Sequence, residues 1–299
     1  MLKLFETVPN FSEGRRKEVL DELRDAFKID GVSLIDYSAD PDHNRSVYTA
    51  VGDADGIKKA IIAAVGVAVK RIDLNEHEGV HPRIGAVDVI PIIPLFDATF
   101  EEAIEIARDV ARQIAAKFEL PVYLYGEAAE HGWRVDLASI RRGQFEGLAQ
   151  KMKDPAWKPD FGPNVPHPTA GATVVGVRDF LVAFNVNLKT DDLTIAKRIA
   201  RAVRASSGGL GYVKALGVEL KSKGIVQVTM NILDYRRNAI YRVFELVKME
   251  ARRWGVDVHS TEIIGCIPTE AVVDVFNYYL MGDLAKERVL EYGILRRWY

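Results

Sequence analysis

The sequence predicts an α/β (α+β) protein made of two similar halves. Three observations carry that expectation. Apolar runs of strand length alternate along the chain with amphipathic stretches of helical period. Their order reads β-α-β-β-α-β in the first half and repeats in the second. The 299 residues suffice for two domains of ordinary size.

In the first half, Leu2 to Val8 reads as a strand, with a helix start at Ser12-Glu13-Gly14 and an amphipathic helix from Arg15 to Phe27. Strands follow at Val32 to Tyr37 and Ser46 to Val51, joined by the polar turn Ala39 to Asn44. Asp55 to Ile72 is an apolar helix, Ala86 to Pro94 a strand, Phe100 to Phe118 a strongly periodic helix and Val122 to Gly126 a strand. Residues 130–170 hold Trp133, Trp157 and five of the twelve prolines, with little apolar periodicity after Phe145. That segment reads as a structureless ligand-covering loop or an inter-domain linker. In the second half, Phe180 to Leu188 is a strand and Thr194 to Ala205 a helix. Tyr212 to Lys221 and Ile225 to Asp234 are hairpin strands around Lys223-Gly224. Ala239 to Trp254 is a helix, Asp257 to Ile267 a strand and Thr269 to Met281 a helix. Both halves therefore match the split βαβ order of ferredoxin-like domains. The expected subdomains are 1–178 and 179–299, joined near residues 175–182, with a ligand crevice between them. After Gly282 comes a basic, aromatic tail with Arg288, Arg296, Arg297, Trp298 and Tyr299.

Composition removes several classes of function. Forty basic residues against forty-two acidic ones give a formal charge of −2, which offers no electrostatic case for nucleic acid or an anionic membrane. Cys266 is the sole cysteine, so no intramolecular disulfide forms, which fits a reducing, cytoplasmic setting. It is expected to be an inert thiol buried in an apolar strand. Early Glu6 and Pro9 break any signal-peptide pattern, and the apolar run Ala60 to Val69 is about half a membrane span.

The chemistry concentrates in His77-Glu78-Gly79-Val80-His81-Pro82-Arg83-Ile84-Gly85-Ala86-Val87-Asp88, a polar loop running into a strand. His77 to His81 matches H-E-x-x-H, which binds zinc only on a helix. Gly79 and Pro82 oppose a helix there. The alternative is a histidine acting as general acid or base, since imidazole titrates near neutrality. A second polar cluster, Asp40-Pro41-Asp42-His43-Asn44-Arg45, sits at a hairpin tip, where Arg45 could grip a carboxylate. Gly162-Pro163-Asn164-Val165-Pro166-His167-Pro168-Thr169-Ala170-Gly171 is a stiff extended loop, read either as a linker or as the lining of a flat heteroaromatic ligand. Ser207-Gly208-Gly209-Leu210-Gly211 lies between helix and strand, the reverse of a dinucleotide-binding loop, and reads as a flexible connection.

Several stretches together resemble the formiminotransferase domain family. They are Val8-Pro9-Asn10-Phe11-Ser12-Glu13-Gly14, Asn44-Arg45, His81 to Asp88, Pro121 to Ala129, Pro159-Asp160-Phe161-Gly162-Pro163, Gly171-Ala172-Thr173-Val174 and Ala183-Phe184-Asn185-Val186-Asn187-Leu188. They run in order from the first ten residues to the final helices. The resemblance implies an enzyme of histidine degradation that moves the formimino group of N-formimino-L-glutamate to N5 of tetrahydrofolate. It implies two α/β subdomains with a tunnel between them, a homodimer, and tetrahydrofolate as co-substrate with no metal. It further implies His81 as the catalytic acid/base and Gly162 to Gly171 as the folate-binding loop. Both substrates carry carboxylates, so Arg45 and Arg83 are the candidates to hold them. Where animal members have an aspartate after the second strand, this chain has Ser38, with Asp36, Asp40 and Asp42 nearby, which leaves the carboxylate partner of His81 open. The cyclodeaminase fused to animal members is not expected, because the transferase match uses the whole chain. Transfer of a formyl group from N-formylglutamate, folate binding without catalysis, and zinc hydrolysis remain the rival readings.

Overall fold

The computed structural model describes residues 3–298, with side chains as far as Ile294. The chain divides into two compact units, Met1–Arg178 and Asp179–Tyr299.

The first unit opens with β1 (Leu4–Thr7), β2 (Asn10–Phe11), α1 (Lys17–Asp25), β3 (Val32–Asp40), β4 (Arg45–Gly52), α2 (Ala54–Arg71) and β5 (Val87–Leu95). The first strand is interrupted, and both of its pieces pair antiparallel with β4 on one side and β5 on the other. With β3 on the outer side of β4, this is the ferredoxin-like strand order. The helices form where apolar residues recur at helical spacing and are anchored by caps. Asp53 accepts from Gly56 N to start α2. α1 begins at Lys17, two residues later than the sequence suggests. Glu13 Oε1 takes the amides of Arg15 and Arg16, while Ser12 Oγ donates to Gly85 O. Val19, Leu23, Ile57, Ile61 and Val65 from the two helices pack with Phe11, Tyr48, Ile90 and Ile92 of the sheet into one core.

The unit then extends. α3 (Phe100–Phe118) is closed at its start by a Thr99–Glu102 capping box and leads to β6 (Val122–Gly126). β7 (Thr173–Val177) inserts between β5 and β6, parallel to both. This strand was not anticipated, because all five of its residues are buried and no polar alternation marks it. Residues 130–170 are not structureless either. They hold α4 (Leu137–Arg141) and α5 (Gln144–Lys151), started by Asp136 accepting from Ala138 N and by Gly143. Helices of one or two turns are too short to print a period of 3.6. Ile140, Leu148 and Met152 from this segment pack on Val89, Tyr123 and Val174 in a second core.

In the second unit, β8 (Val182–Leu188), α6 (Leu193–Val203), β9 (Val213–Leu220), β10 (Ile225–Ile232), α7 (Ile240–Arg253) and β11 (Val258–Ile264) form an antiparallel sheet ordered β11-β8-β10-β9. This too is ferredoxin-like. Val186, Val228, Ile199 and Val243 meet in its core. α8 (Thr269–Leu280) and α9 (Leu290–Trp298) follow. Cys266 lies beyond the end of the edge strand β11 and is exposed, not buried as expected. In the basic tail, the side chains of Arg296, Arg297, Trp298 and Tyr299 lie outside the described residues. No helix among the described residues is long and apolar enough to cross a membrane.

One backbone contact sets where the proline-rich loop lies. Gly171 bridges Gly85 at φ +69°, and a Cβ on it would sit 2.2 Å from Ile84 O. Gly171→Ala should therefore cost roughly 2–4 kcal/mol, combining left-handed backbone strain with a steric clash. Gly208 has φ +89° and nothing within 4 Å of an added Cβ, so Gly208→Ala should cost only about 1 kcal/mol. Urea midpoints of the two variants check the contrast.

Candidate active site

The loop before β5 is held without helix or strand from Glu76 to Ile84. H-E-x-x-H is therefore not displayed on a helical face. A Cβ on Gly79 would stand 2.3 Å from His43 O, so the loop lies flat on the hairpin tip between β3 and β4. Asn44 fastens that contact. Its Oδ1 accepts from Gly14 N at 2.9 Å and its Nδ2 donates to Glu78 O at 3.0 Å. His77 is consumed in the same joint. Its Nε2 donates to Asn44 O at 2.9 Å, and its Nδ1 accepts from Arg83 Nε at 3.1 Å. Burial, reinforced by the Arg83 charge, holds His77 below its ordinary pKa.

His81 differs in having one nitrogen open. Its Nδ1 lies 2.8 Å from Pro82 O. A carbonyl can only accept, so Nδ1 carries the proton and Nε2 keeps a lone pair. Nε2 has no hydrogen-bond partner among the described residues. The Pro82 carbonyl thus does for His81 what an aspartate was sought to do; of the carboxylates considered, Asp40 is engaged in capping its own turn through the amides of Asp42 and His43. Burial, then the charges of Arg45 and Arg141 and the neighbouring His43, push the His81 pKa well below its ordinary value. The His43 and His81 rings stand 6.0 Å apart.

The cations belong to a buried triad. Asp88 is fully buried on β5, and its Oδ1 accepts from Ile84 N at 2.9 Å. Its Oδ2 accepts from Arg45 Nη1 at 2.9 Å and from Arg141 Nη2. Arg45 also donates from Nε and Nη2 to Asn10 Oδ1 at 3.1 and 2.9 Å. Burial lowers the Arg45 pKa to about 10, with Asp88 resisting. Burial would raise Asp88, but Arg141 and Arg45 more than offset it and leave the carboxyl below its ordinary value. Two guanidiniums on one carboxylate leave the cluster one positive charge in excess. Arg141 Nε is buried with no hydrogen-bond partner among the described residues.

Arg83, expected as a carboxylate ligand, has its donors taken. Nη1 and Nη2 form a fork onto Glu146 at 3.0 and 2.8 Å, with Gln144 Oε1 and His77 O at 3.3 Å and His77 Nδ1 on Nε. It clamps α5 to the His77 loop. The 162–171 loop folds back on itself through His167 N to Gly171 O and Gly171 N to His167 O, at 2.8 and 3.0 Å. His167 Nδ1 accepts from Ala170 N at 3.0 Å, and Asn75 Nδ2 donates to Pro168 O at 3.0 Å. Pro166, His167 and Pro168 line a cleft of about 480 Å³ with Leu74, Phe145 and Glu146.

The fold thus brings Arg45 and His81 together, stitches the proline-rich loop to Gly85, and withdraws Arg83 into a structural clamp. Asp88 and Arg141, which join Arg45 in the buried triad, were not among the expected site residues. An aspartate inside the otherwise apolar run Val87–Leu95 was a legible signal for the first. Nothing in a five-residue helix marked the second.

Known proteins resemble the chain over nearly its whole length. The formiminotransferase domain, N-terminal subdomain, matches residues 4–178, and the formiminotransferase domain matches residues 183–291. The chain is 47% identical over 284 residues to the glutamate formimidoyltransferase of Streptococcus pyogenes serotype M1, covering 95% of each chain. It is 47% identical to the glutamate formimidoyltransferase of Thermoplasma acidophilum, covering 93% of each. It is 39% identical to the formimidoyltransferase-cyclodeaminase of Mus musculus, where the match takes 97% of this chain and 54% of that protein. With both halves of the family profile matched in order over nearly its full length, the chain belongs to the formiminotransferase family.

Proposed function

We infer that this protein is a glutamate formimidoyltransferase, passing the formimino group of N-formimino-L-glutamate to N5 of tetrahydrofolate and releasing glutamate. The observation that carries the mechanism is His81, with a fixed tautomer and an open Nε2, beside an arginine pair in charge excess. N5 attacks the amidine carbon, forming a C–N bond and a tetrahedral intermediate. His81 Nε2 takes the proton from N5. The imidazolium hands that proton to the glutamate nitrogen, the C–N bond to glutamate breaks, and neutral imidazole returns. A depressed pKa suits both steps, since the base form is populated at neutral pH and the imidazolium is a strong donor.

Arg45 and Arg141 receive a substrate carboxylate, using the donors that Asp88 and Asn10 leave open. Arg141→Gln should raise KM for formiminoglutamate by roughly tenfold or more and change kcat little, because a carboxylate contact serves ground and transition states alike. Steady-state kinetics with each substrate varied in turn checks this. The 162–171 loop holds the folate, its three prolines and internal hydrogen bonds lowering the cost of ordering on binding. The resemblance also implies a cytoplasmic homodimer, which sedimentation of the purified chain would test for its dimeric part.

The deciding experiment is glutamate release from formiminoglutamate in the presence and absence of tetrahydrofolate, with N-formylglutamate in parallel. Release that depends on folate and on the formimino group supports the reading. Release from the formyl compound alone replaces it with formyl transfer, and binding without release leaves a folate-binding protein.

A further inference from the structure

α8 buries one apolar stripe and exposes another. Ala271 and Val275 pack into the core of the second unit. Tyr278, on the same side, stacks on Tyr241 of α7 with ring centroids 4.1 Å apart. Val272, Phe276, Tyr279 and Leu280 recur at i, i+4, i+7 and i+8, which sets them along a second line on the helix. They are 48%, 44%, 45% and 63% exposed. Met281 follows at 94%. Its φ is +50°, a left-handed cap that glycine fills at less cost. A surface helix ordinarily turns polar residues to water, and one that is apolar on two sides is covered on both.

The chemistry of the exposed stripe narrows what covers it. None of its five side chains is charged. The Tyr279 hydroxyl donates to Glu245 Oε1 at 2.7 Å, and Lys248 Nζ donates to the same oxygen at 2.7 Å. The stripe can therefore close against an apolar surface without stranding its one hydroxyl donor or burying a net charge. A helix face is convex, unlike the concave sites that hold small molecules. The polar residues of α8 include Glu270 and Asp274, which an anionic membrane repels. The five side chains expose on the order of 500 Å², the apolar share of the roughly 800 Å² each partner buries in a specific interface of ordinary size.

A two-fold axis sets a patch against its own copy, so the patch must suit itself. An uncharged apolar stripe flanked by a Glu245–Lys248 pair meets that condition, because neither like charges nor unmatched donors face each other. Methionine at its end adapts its shape to a partner. We propose that the Val272, Phe276, Tyr279, Leu280 and Met281 stripe of α8 is the contact between two copies of this chain. The proposal gives the expected dimer its surface, rests on that expectation alone, and is independent of the chemistry assigned to His81.

The test is sedimentation equilibrium of the full chain and of its Phe276→Lys and Leu280→Lys variants. Wild type should be a dimer. Each lysine should weaken dimerisation roughly 100-fold or more, because an unpaired charge is desolvated and the two-fold axis enters it twice. Far-UV circular dichroism should not change, since both side chains point away from the core of the unit. Peroxide oxidation of the wild-type dimer, read by peptide mass, gives a second measurement. Met281 is 94% exposed on the single chain and Met249, outside the stripe on α7, is 58% exposed. Burial between copies should make Met281 the slower of the two. A dimer that both lysine variants retain overturns the proposal and places the contact elsewhere. If the variants do not fold, faster oxidation of Met281 than of Met249 in the wild-type dimer overturns it by itself. A wild-type monomer overturns it as well, together with the expected dimer, and leaves the transferase reading to the glutamate-release assay.

Discussion

His81→Asn should lower the rate of glutamate release by roughly 10²–10⁴, the usual contribution of one general acid–base group. The amide retains a donor for the Pro82 carbonyl, so the fold and both substrate affinities should hold, but it does not titrate near neutrality. Single-turnover rates with both substrates saturating isolate this step. The pH profile gives an independent sign. The His81 pKa is lowered, by burial first and by Arg45 and Arg141 next. Its base form therefore persists to lower pH than a free imidazole's, and the acid limb of kcat/KM should fall below about 6.5. An acid limb above that value would count against His81 as the base. His77→Asn should behave differently. Both His77 nitrogens serve the joint between Asn44 and Arg83, so the expected loss is stability with a small change in rate. Chelators should leave wild-type activity unchanged. Equal rate losses in the two histidine variants, with activity lost to chelator and restored by zinc, would favour a metal site instead.

Asp88→Ala should destabilise the first unit by about 3–5 kcal/mol, the cost of removing one partner of a buried ion pair. The carboxylate is fully buried and receives Arg45, Arg141 and the amide of Ile84. Without it two guanidiniums sit in the interior uncompensated. Against a total stability of about 5–15 kcal/mol, that threatens the fold. The pH dependence has a definite sign. The Asp88 pKa is lowered in the folded state, with Arg141 and Arg45 overcoming burial. Its contribution is therefore whole above the unfolded value near 3.8 and is lost as pH falls through the folded value. Urea unfolding of wild type should weaken across that acid window, and Asp88→Ala should lose less there. Arg141→Gln, which leaves Arg45 paired with Asp88, should destabilise less than Asp88→Ala.

The two ferredoxin-like halves were legible because hydrophobic period is a local property. α3 repeats its apolar face along 19 residues and carries its own capping box, so neighbouring residues alone determine it. β10 likewise alternates between a core face and a polar one. β7 was not legible, since a strand buried on both faces prints no alternation, and neither were α4 and α5, which are too short to print a helical period.

The site divides the same way. The sequence by itself determined that the His77 to Asp88 loop is polar, kinked by glycine and proline, and delivered at the start of a strand. It also determined the order of motifs that marks the family. Only the tertiary structure decided which histidine is open. Asn44 and Arg83, 33 and six residues from His77, close both of its nitrogens, while the carbonyl next to His81 closes one. It also set the partners of the arginines, turning Arg83 onto Glu146 and bringing Arg141 to Asp88 from 53 residues away. Backbone tendencies follow from near neighbours in the chain. Which donor meets which acceptor depends on residues that only the closed sheet and its covering helices bring within 3 Å of one another, and that pairing sets both charge and tautomer.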